Sequence, residues 1–136
     1  LYPWLRENAY IIFKKHTPIE VREIESIIYT QDPLNRFWLV SSGPIIHFVA
    51  NSLESAIVLI KNVRSIGFKH SGIISIDDSG IVIEVISGTW TSFLLKDRQG
   101  LIVDPPALPR IVATANAILL EGKKRLQRLK ALFCRT

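Results

Sequence analysis

The sequence contains one cysteine and no methionine among its 136 residues. The single Cys134 can form no disulfide within the chain. We also expect no structural zinc site, because the chain offers only this cysteine and three histidines, His16, His47 and His70, as zinc ligands of the Cys/His type. The longest apolar runs fall far short of the roughly 20 residues that a membrane-spanning helix requires, and no signal peptide opens the chain. These absences favour a cytoplasmic protein that binds no metal and has no membrane partner.

Glycine-rich phosphate loops are also missing. Neither G-x-G-x-x-G nor G-x-x-x-x-G-K-[ST] occurs, so the two common nucleotide-binding signatures are absent. The hydrolase signatures G-x-S-x-G and H-E-x-x-H do not occur either. The sequence therefore carries no local signature of a Rossmann enzyme, a P-loop enzyme or a hydrolase.

The composition is that of a folded domain, with 48% hydrophobic and 21% charged residues. A chain of this length buries roughly 70% of the surface that its unfolded form exposes, so it needs no disulfide or zinc ion to be stable. We expect residues 1–136 to form a single domain. Because the chain begins at Leu1 and has no methionine, we also expect that it lacks an N-terminal segment of the full-length protein.

The positive charge lies at the C-terminal end. Residues 1–106 carry ten basic and eleven acidic side chains, whereas residues 107–136 carry seven basic and one acidic. Such a cluster is typical of a surface that contacts the phosphates of a nucleic acid. A solvated helix face is the alternative, because basic residues in a last helical turn also offset the helix dipole. The residues of this cluster that we expect to contact nucleic-acid phosphates, and that would contact RNA if the partner is RNA, are Lys123, Lys124, Arg125 and Arg128.

The N-terminal third predicts a strand and then a helix. Residues 9–14 form a short apolar run that is typical of a strand. The helix-start signal follows, with Thr17 as the cap, Pro18 at the first helical position and Glu20 completing a capping box. The isoleucines at positions 24, 27 and 28 then predict one buried helix face.

Two strands and a second helix are predicted next. The β-rich runs 37–41 and 45–50 flank Ser42-Gly43-Pro44, which predicts a strand pair joined by a turn. Ser52 is the predicted cap of a helix whose apolar positions follow an i, i+3, i+4 pattern, with Gly67 as its C-terminal cap.

The remaining chain predicts two hairpins and a long helix. The runs 70–77 and 81–87 flank Asp78-Ser79-Gly80 and form the stronger hairpin signal, and a weaker one lies around residues 96–100. Prolines 105 and 106 then introduce a long basic C-terminal helix, in which Gly122 predicts a bend or a close approach of another segment. We therefore predict an α+β fold with one mostly antiparallel or mixed sheet and helices packed on one face.

Four features stand out as candidates for a functional site. His47 lies between apolar neighbours on both faces of its strand, so it is expected to be buried or to point into a cleft, either as a core histidine or as a group that orients a ligand or accepts a proton. The segment 67–73 is a polar turn that includes Lys69, Ser71 and Gly72. Trp38 can stack on a base or belong to the core. Asn116 interrupts an apolar helix face and can bind a loop or a ligand.

The segments 38–47, 52–56, 67–73 and 115–117 resemble, in order and spacing, the tRNA wybutosine-synthesizing protein 3 family. The resemblance covers about residues 36–130. The family also carries a Thr/Ser-Ser-Cys-Ser-Gly-Arg motif that has no counterpart between Leu1 and Arg36. Two explanations stay open: the motif lies before Leu1, or the chain is a shortened relative in which only binding survives.

The resemblance implies an S-adenosylmethionine-dependent methyltransferase that acts at ring nitrogen N4 of the tricyclic guanosine derivative beside the anticodon of phenylalanine tRNA. In that reading, His47 orients the ring or relays a proton, Trp38 stacks, and Lys69, Ser71, Gly72 and Asn116 bind or support substrate and methyl donor. Two other functions stay open: a noncatalytic RNA-binding module of the same fold, and a plain oligomerising protein.

Overall fold

The computed structural model describes residues 11–134 of the chain. In chain order its elements are helix α1 (Val21–Ile28), strands β1 (Arg36–Ser42) and β2 (Ile45–Ala50), helix α2 (Leu53–Ser65), strands β3 (Gly72–Asp77), β4 (Gly80–Ile86), β5 (Trp90–Asp97) and β6 (Gly100–Leu101), a short 3-10 helix (Pro105–Ala107) and helix α3 (Leu108–Phe133). The predicted α+β class and the long basic C-terminal helix are confirmed.

The chain divides into two compact units. Within the described residues, the first is built from residues 11–41 together with Trp90–Leu120, and the second from Ser42–Thr89 together with residues 121–134. The strands form two three-stranded sheets, in the orders β1-β5-β6 and β2-β4-β3, rather than the one sheet predicted. Whether the chain behaves as a single domain in solution stays a prediction.

Strands β1 and β2 do not pair with each other, so the predicted strand pair is wrong. The residues between them bond to a distant segment instead. The Gly43 N–H donates to the carbonyl of Thr89 at 2.7 Å, and the Ser87 N–H donates to the carbonyl of Pro44 at 3.2 Å. Pro44 has no N–H of its own to close a turn towards β1. The two strands therefore enter different sheets.

The second unit is a sheet covered by helices on one face. Strand β4 is central and pairs antiparallel with both β2 and β3, which confirms the β3–β4 hairpin. One face of the sheet packs against α2 and the last turns of α3. This core comprises Ala56, Val63, Phe68, Ile81, Ile83, Val85 and Leu129. The other face carries Ile45 and Val49, which are exposed.

Helix α2 begins as predicted. The Ser52 hydroxyl accepts the backbone N–H of Ser55 at 3.1 Å, which satisfies one of the free donors of the first turn. Gly67 follows the helix with φ = +113°, a conformation that glycine adopts without steric cost. Both ends of this helix could therefore be located from the sequence.

Helix α1 begins later than predicted. Its cap is Glu20 rather than Thr17, and Glu20 forms the capping box with Glu23. The predicted start used a hydroxyl, whereas in the structure the Glu23 carboxylate accepts the backbone N–H of Glu20 at 3.0 Å, and the Glu23 N–H donates to the Glu20 carbonyl at 3.1 Å. For the predicted strand 9–14, residues 9 and 10 lie outside the described residues, and residues 11–14 form no strand.

The first unit has its own core around α1 and the start of α3. Its buried residues are Ile24, Ile28, Leu95, Val103, Leu108 and Val112. The buried Lys96 ends α1, because its ammonium donates to the carbonyls of Ile28 and Gln31, both at 2.7 Å, and lies 3.0 Å from an Asp32 carboxylate oxygen. A cation at the C-terminus of a helix also complements the helix dipole. Of the helices in residues 11–134, none is long and apolar enough to cross a membrane.

Candidate functional site

Three residues from three strands form one row across the sheet of the second unit. In the antiparallel register His47 of β2 lies opposite Glu84 of β4, and Glu84 lies opposite Gly72 of β3. Directly paired residues share a face of the sheet. The row therefore brings together two residues predicted for the site, His47 and Gly72, and adds Glu84 between them.

His47 is exposed and not buried. Its side chain keeps 53% of its accessible surface, and its Nε2 lies 3.0 Å from Oε2 of Glu84. The expectation that His47 is buried or points into a cleft is wrong, because the strand presents it on the open face of the sheet, between Ile45 and Val49. An imidazole held by a carboxylate can donate, accept or carry a proton, depending on its tautomer and charge.

Sequence reasoning missed Glu84. Its signal was present, since Glu84 is the one charged residue within the run Ile81–Ile86. The sequence could not show which residue Glu84 faces, because strand register is set by tertiary pairing.

Ser71 and Gly72 differ sharply in accessibility. Ser71 is fully buried, and its hydroxyl accepts the backbone N–H of Ile86 at 3.1 Å while its carbonyl accepts two bonds from Arg64. A β-carbon placed on Gly72 would meet no atom within 4 Å, so this side of β3 is open. Ser71 thus holds the polar turn against β4, and Gly72 and the exposed Lys69 remain accessible.

The two arginines predicted to contact RNA have different surroundings. Arg125 donates to the carbonyls of Gly67, at 3.1 Å, and Ser87, and its Nε bonds to Glu121 at 3.2 Å. Its guanidinium therefore ties α3 to the turn after α2. Arg128 is exposed, with Nη1 3.7 Å from the position that a β-carbon on Gly67 would take. Lys123 and Lys124 are exposed on α3.

Trp38 and Asn116 belong to the first unit. The side-chain amide of Asn116 accepts the backbone N–H of Ile19 at 2.8 Å and donates to the Ile19 carbonyl at 2.9 Å. Of the two roles that the sequence left open, the structure shows the contact with a loop. Trp38 is half-buried on β1.

Two shallow depressions lie elsewhere on the described surface. One, of about 180 Å³, is lined by Phe93, Ala107, Arg110, Ile111 and Thr114 of the first unit. The other, of about 440 Å³, lies along α2 and is lined by Glu54, Ser55, Val58, Leu59 and Asn62. No residue predicted for the site lines either depression. Within residues 11–134 no cluster of three or more His, Cys, Asp or Glu could hold a metal ion.

Comparison with known proteins shows the family. Residues 2–134 match the family described as Methyltransferase TYW3. The chain belongs to this family. A curated TYW3 relative from Saccharolobus solfataricus is 35% identical over 131 residues, which cover 96% of this chain and 62% of the relative. One from Aeropyrum pernix is 37% identical over 121 residues, which cover 88% and 63%. Both are named tRNA(Phe) 7-((3-amino-3-carboxypropyl)-4-demethylwyosine(37)-N(4))-methyltransferase.

Solved structures with the same fold are also similar to this chain. A protein from Pyrococcus horikoshii superposes with a TM-score of 0.86 at 28% identity, over 96% of this chain and 66% of its own. A protein from Aeropyrum pernix gives a TM-score of 0.80 at 35% identity, over 92% and 72%. The chain spans somewhat over three fifths of the length of the curated relatives.

Proposed function

We propose that this protein is a tRNA methyltransferase of wybutosine biosynthesis, which uses S-adenosylmethionine to methylate N4 of the tricyclic guanosine derivative in phenylalanine tRNA. The observation that carries the proposal is the family match over residues 2–134 together with the names of the relatives. The resemblance noted in four separate sequence segments supports the same function.

The open face of the sheet in the second unit carries groups that can bind a nucleobase. The imidazole of His47 and the carboxylate of Glu84 can hydrogen-bond to the edge of a ring, and Ile45 and Val49 beside them offer apolar surface for its face. We assign His47 to orienting the ring or moving a proton, and Glu84 to holding the imidazole in place. Positioning of this kind is the main protein contribution to a group transfer that needs no covalent intermediate.

The residues predicted to bind the methyl donor do not fit it as a set. The Ser71 hydroxyl and the Asn116 amide are occupied by the backbone of Ile86 and Ile19. Lys69 is exposed, and Gly72, which pairs with Glu84, has open space on its β-carbon side. Of the four residues predicted to bind or support the donor, we therefore retain Lys69 and Gly72, and we derive no chemical step through the donor.

The test combines binding with turnover. Calorimetry measures S-adenosylmethionine binding to the chain, and a radiolabelled methyl group reports transfer to phenylalanine tRNA that carries the unmethylated tricyclic base. We expect the chain to bind S-adenosylmethionine and to transfer the methyl group to the tRNA. We expect this transfer to require His47. Absence of donor binding under conditions in which tRNA binds would contradict the enzyme assignment for this chain.

A noncatalytic RNA-binding module is the second candidate function. One observation favours it. The basic side chains of α3 that were predicted to contact RNA include three that are exposed, whereas Ser71 and Asn116, which were predicted to bind or support the donor, hydrogen-bond to backbone groups of the protein. Such a module would bind tRNA with a strong salt dependence and would not bind S-adenosylmethionine. Binding of tRNA that does not respond to salt would argue instead for an oligomerising protein.

A further inference from the structure

The turn that links α2 to β3 leaves two neighbouring backbone donors free. The Ser71 N–H donates to the Phe68 carbonyl at 3.2 Å and closes a four-residue turn with Lys69 and His70 at its centre. The Phe68 N–H donates to Val63. Within the part of the chain that the structure describes, the N–H groups of Lys69 and His70 have no acceptor. Successive free N–H groups in a turn form a concave site suited to an anion.

Basic side chains surround the same turn. Lys69 and His70 are exposed, and within residues 11–134 neither side chain has an ion pair. Arg128 reaches the turn from α3, with Nη1 3.7 Å from the β-carbon position of Gly67. No carboxylate of the described residues pairs with Arg128. Lys69, His70 and Arg128 thus have hydrogen-bond donors available to a ligand.

The turn is also held in place. Arg125 donates to the carbonyl of Gly67 on one side of it, and the buried Ser71 is bonded to β4 on the other. Phe68 is fully buried in the core of the second unit. A site whose backbone is fixed before the ligand arrives loses little conformational freedom on binding.

We propose that the turn Phe68–Ser71 together with Arg128 is a phosphate-binding site that holds one backbone phosphate of the RNA substrate. The N–H groups of Lys69 and His70 would donate to the phosphate oxygens, and the Lys69 and Arg128 side chains would neutralise the charge. The site rests on the proposed function, because it takes RNA as the source of the phosphate. It extends the predicted RNA contact from α3 to the α2–β3 turn and leaves Arg125 out of it.

Amide NMR of the isotopically labelled chain tests the backbone part of the site. On addition of phenylalanine tRNA, the N–H resonances of Lys69 and His70 are expected to move downfield. The Ser71 N–H is the internal control, because it already donates to Phe68 and should move less. A tRNA complex in which the two amides do not move would overturn the proposal.

Charge-removing variants test the side chains. Each of Lys69→Gln and Arg128→Gln should reduce the slope of log affinity against log salt by about 1, as expected for one lost phosphate contact. The control is Arg110→Gln, which removes the same charge from an exposed position of α3 in the first unit and should leave the slope unchanged. Unchanged slopes in both test variants would overturn the proposed site and leave the proposed function standing.

Two further results separate the site from its premise. If the wild-type chain binds no tRNA, the RNA function itself fails and the proposed site fails with it. If inorganic phosphate moves the Lys69 and His70 amides but tRNA does not, the turn binds a free anion and the proposal is again overturned.

Discussion

A β-carbon built on Gly122 in the middle of α3 would stand 2.8 Å from the Cα of Gly43. The same atom would lie 3.2 Å from Cδ of Pro44 and from the hydroxyl of Thr89. The helix therefore passes the start of β2 at backbone distance, and only glycine leaves enough room. This is the close approach that the glycine predicted.

Gly122→Ala should destabilise the protein. In an open helix the change to alanine would be stabilising by roughly 1 kcal/mol, but here the methyl group meets backbone and ring atoms, and overpacking of this kind costs about 1–3 kcal/mol. Urea unfolding should show a lower midpoint with an unchanged slope. Gly72→Ala is the matched control, because its methyl group would meet nothing and its stability should not fall comparably.

Lys96→Met should lower the free energy of unfolding by about 1–3 kcal/mol. The change keeps the apolar stem but leaves the carbonyls of Ile28 and Gln31 without their donor near the buried core. Thermal and urea unfolding measure the effect. Lys130→Met, at an exposed position of α3, is expected to stay within about 0.5 kcal/mol. Equal effects of the two variants would contradict the capping role of Lys96.

Asn116→Ala should also destabilise the chain by about 1–3 kcal/mol, because it leaves the N–H and the carbonyl of Ile19 unpaired. The nearby exposed Thr114→Ala should have little effect on unfolding. Calorimetry of the folded Asn116→Ala protein should give donor affinity equal to that of the wild type. A selective loss of donor affinity would restore Asn116 as a ligand contact.

Asp77 should titrate below the usual aspartate range. The Ser79 side-chain hydroxyl and then its backbone N–H bond to the Asp77 carboxylate and lower the pKa of that carboxyl. Since the folded-state pKa lies below the unfolded one, the stabilising contribution is present above the unfolded pKa and is lost as the pH falls through the folded pKa. Carboxyl NMR measures the midpoint, and Ser79→Ala should raise it towards the value in an unfolded peptide. A midpoint that Ser79→Ala leaves unchanged would show that these bonds do not set the pKa.

His47→Ala should abolish methyl transfer and leave tRNA affinity nearly unchanged. Stability should fall by no more than roughly 1 kcal/mol, because the pair with Glu84 is partly exposed. Turnover, filter binding and urea unfolding of the same preparation separate the three effects. Parallel losses of turnover and stability would instead identify His47 as a structural residue.

Local signals predicted much of the fold. Three features could be predicted because they depend on neighbours within a few residues. They are the cap at Ser52, the β3–β4 hairpin around residues 78 and 79, and the long helix after Pro105. The concentration of positive charge in the last thirty residues is likewise a property of the sequence alone. The resemblance that pointed to the TYW3 family also required only residue types and their order.

Contacts between distant residues needed the tertiary structure. The pairing of His47 with Glu84 depends on the register of β2 against β4. That β1 and β2 belong to different sheets depends on the hydrogen bonds that residues 43 and 44 form with residues 89 and 87. Arg125 and Arg128 carry the same charge, and the sequence does not distinguish them. In the structure the Arg125 guanidinium donates to the carbonyls of Gly67 and Ser87, because α3 packs beside these residues. Sequence determined which groups the chain carries, and tertiary pairing decided which of them are left free to meet a ligand, because long-range hydrogen bonds and burial are not encoded in local spacing.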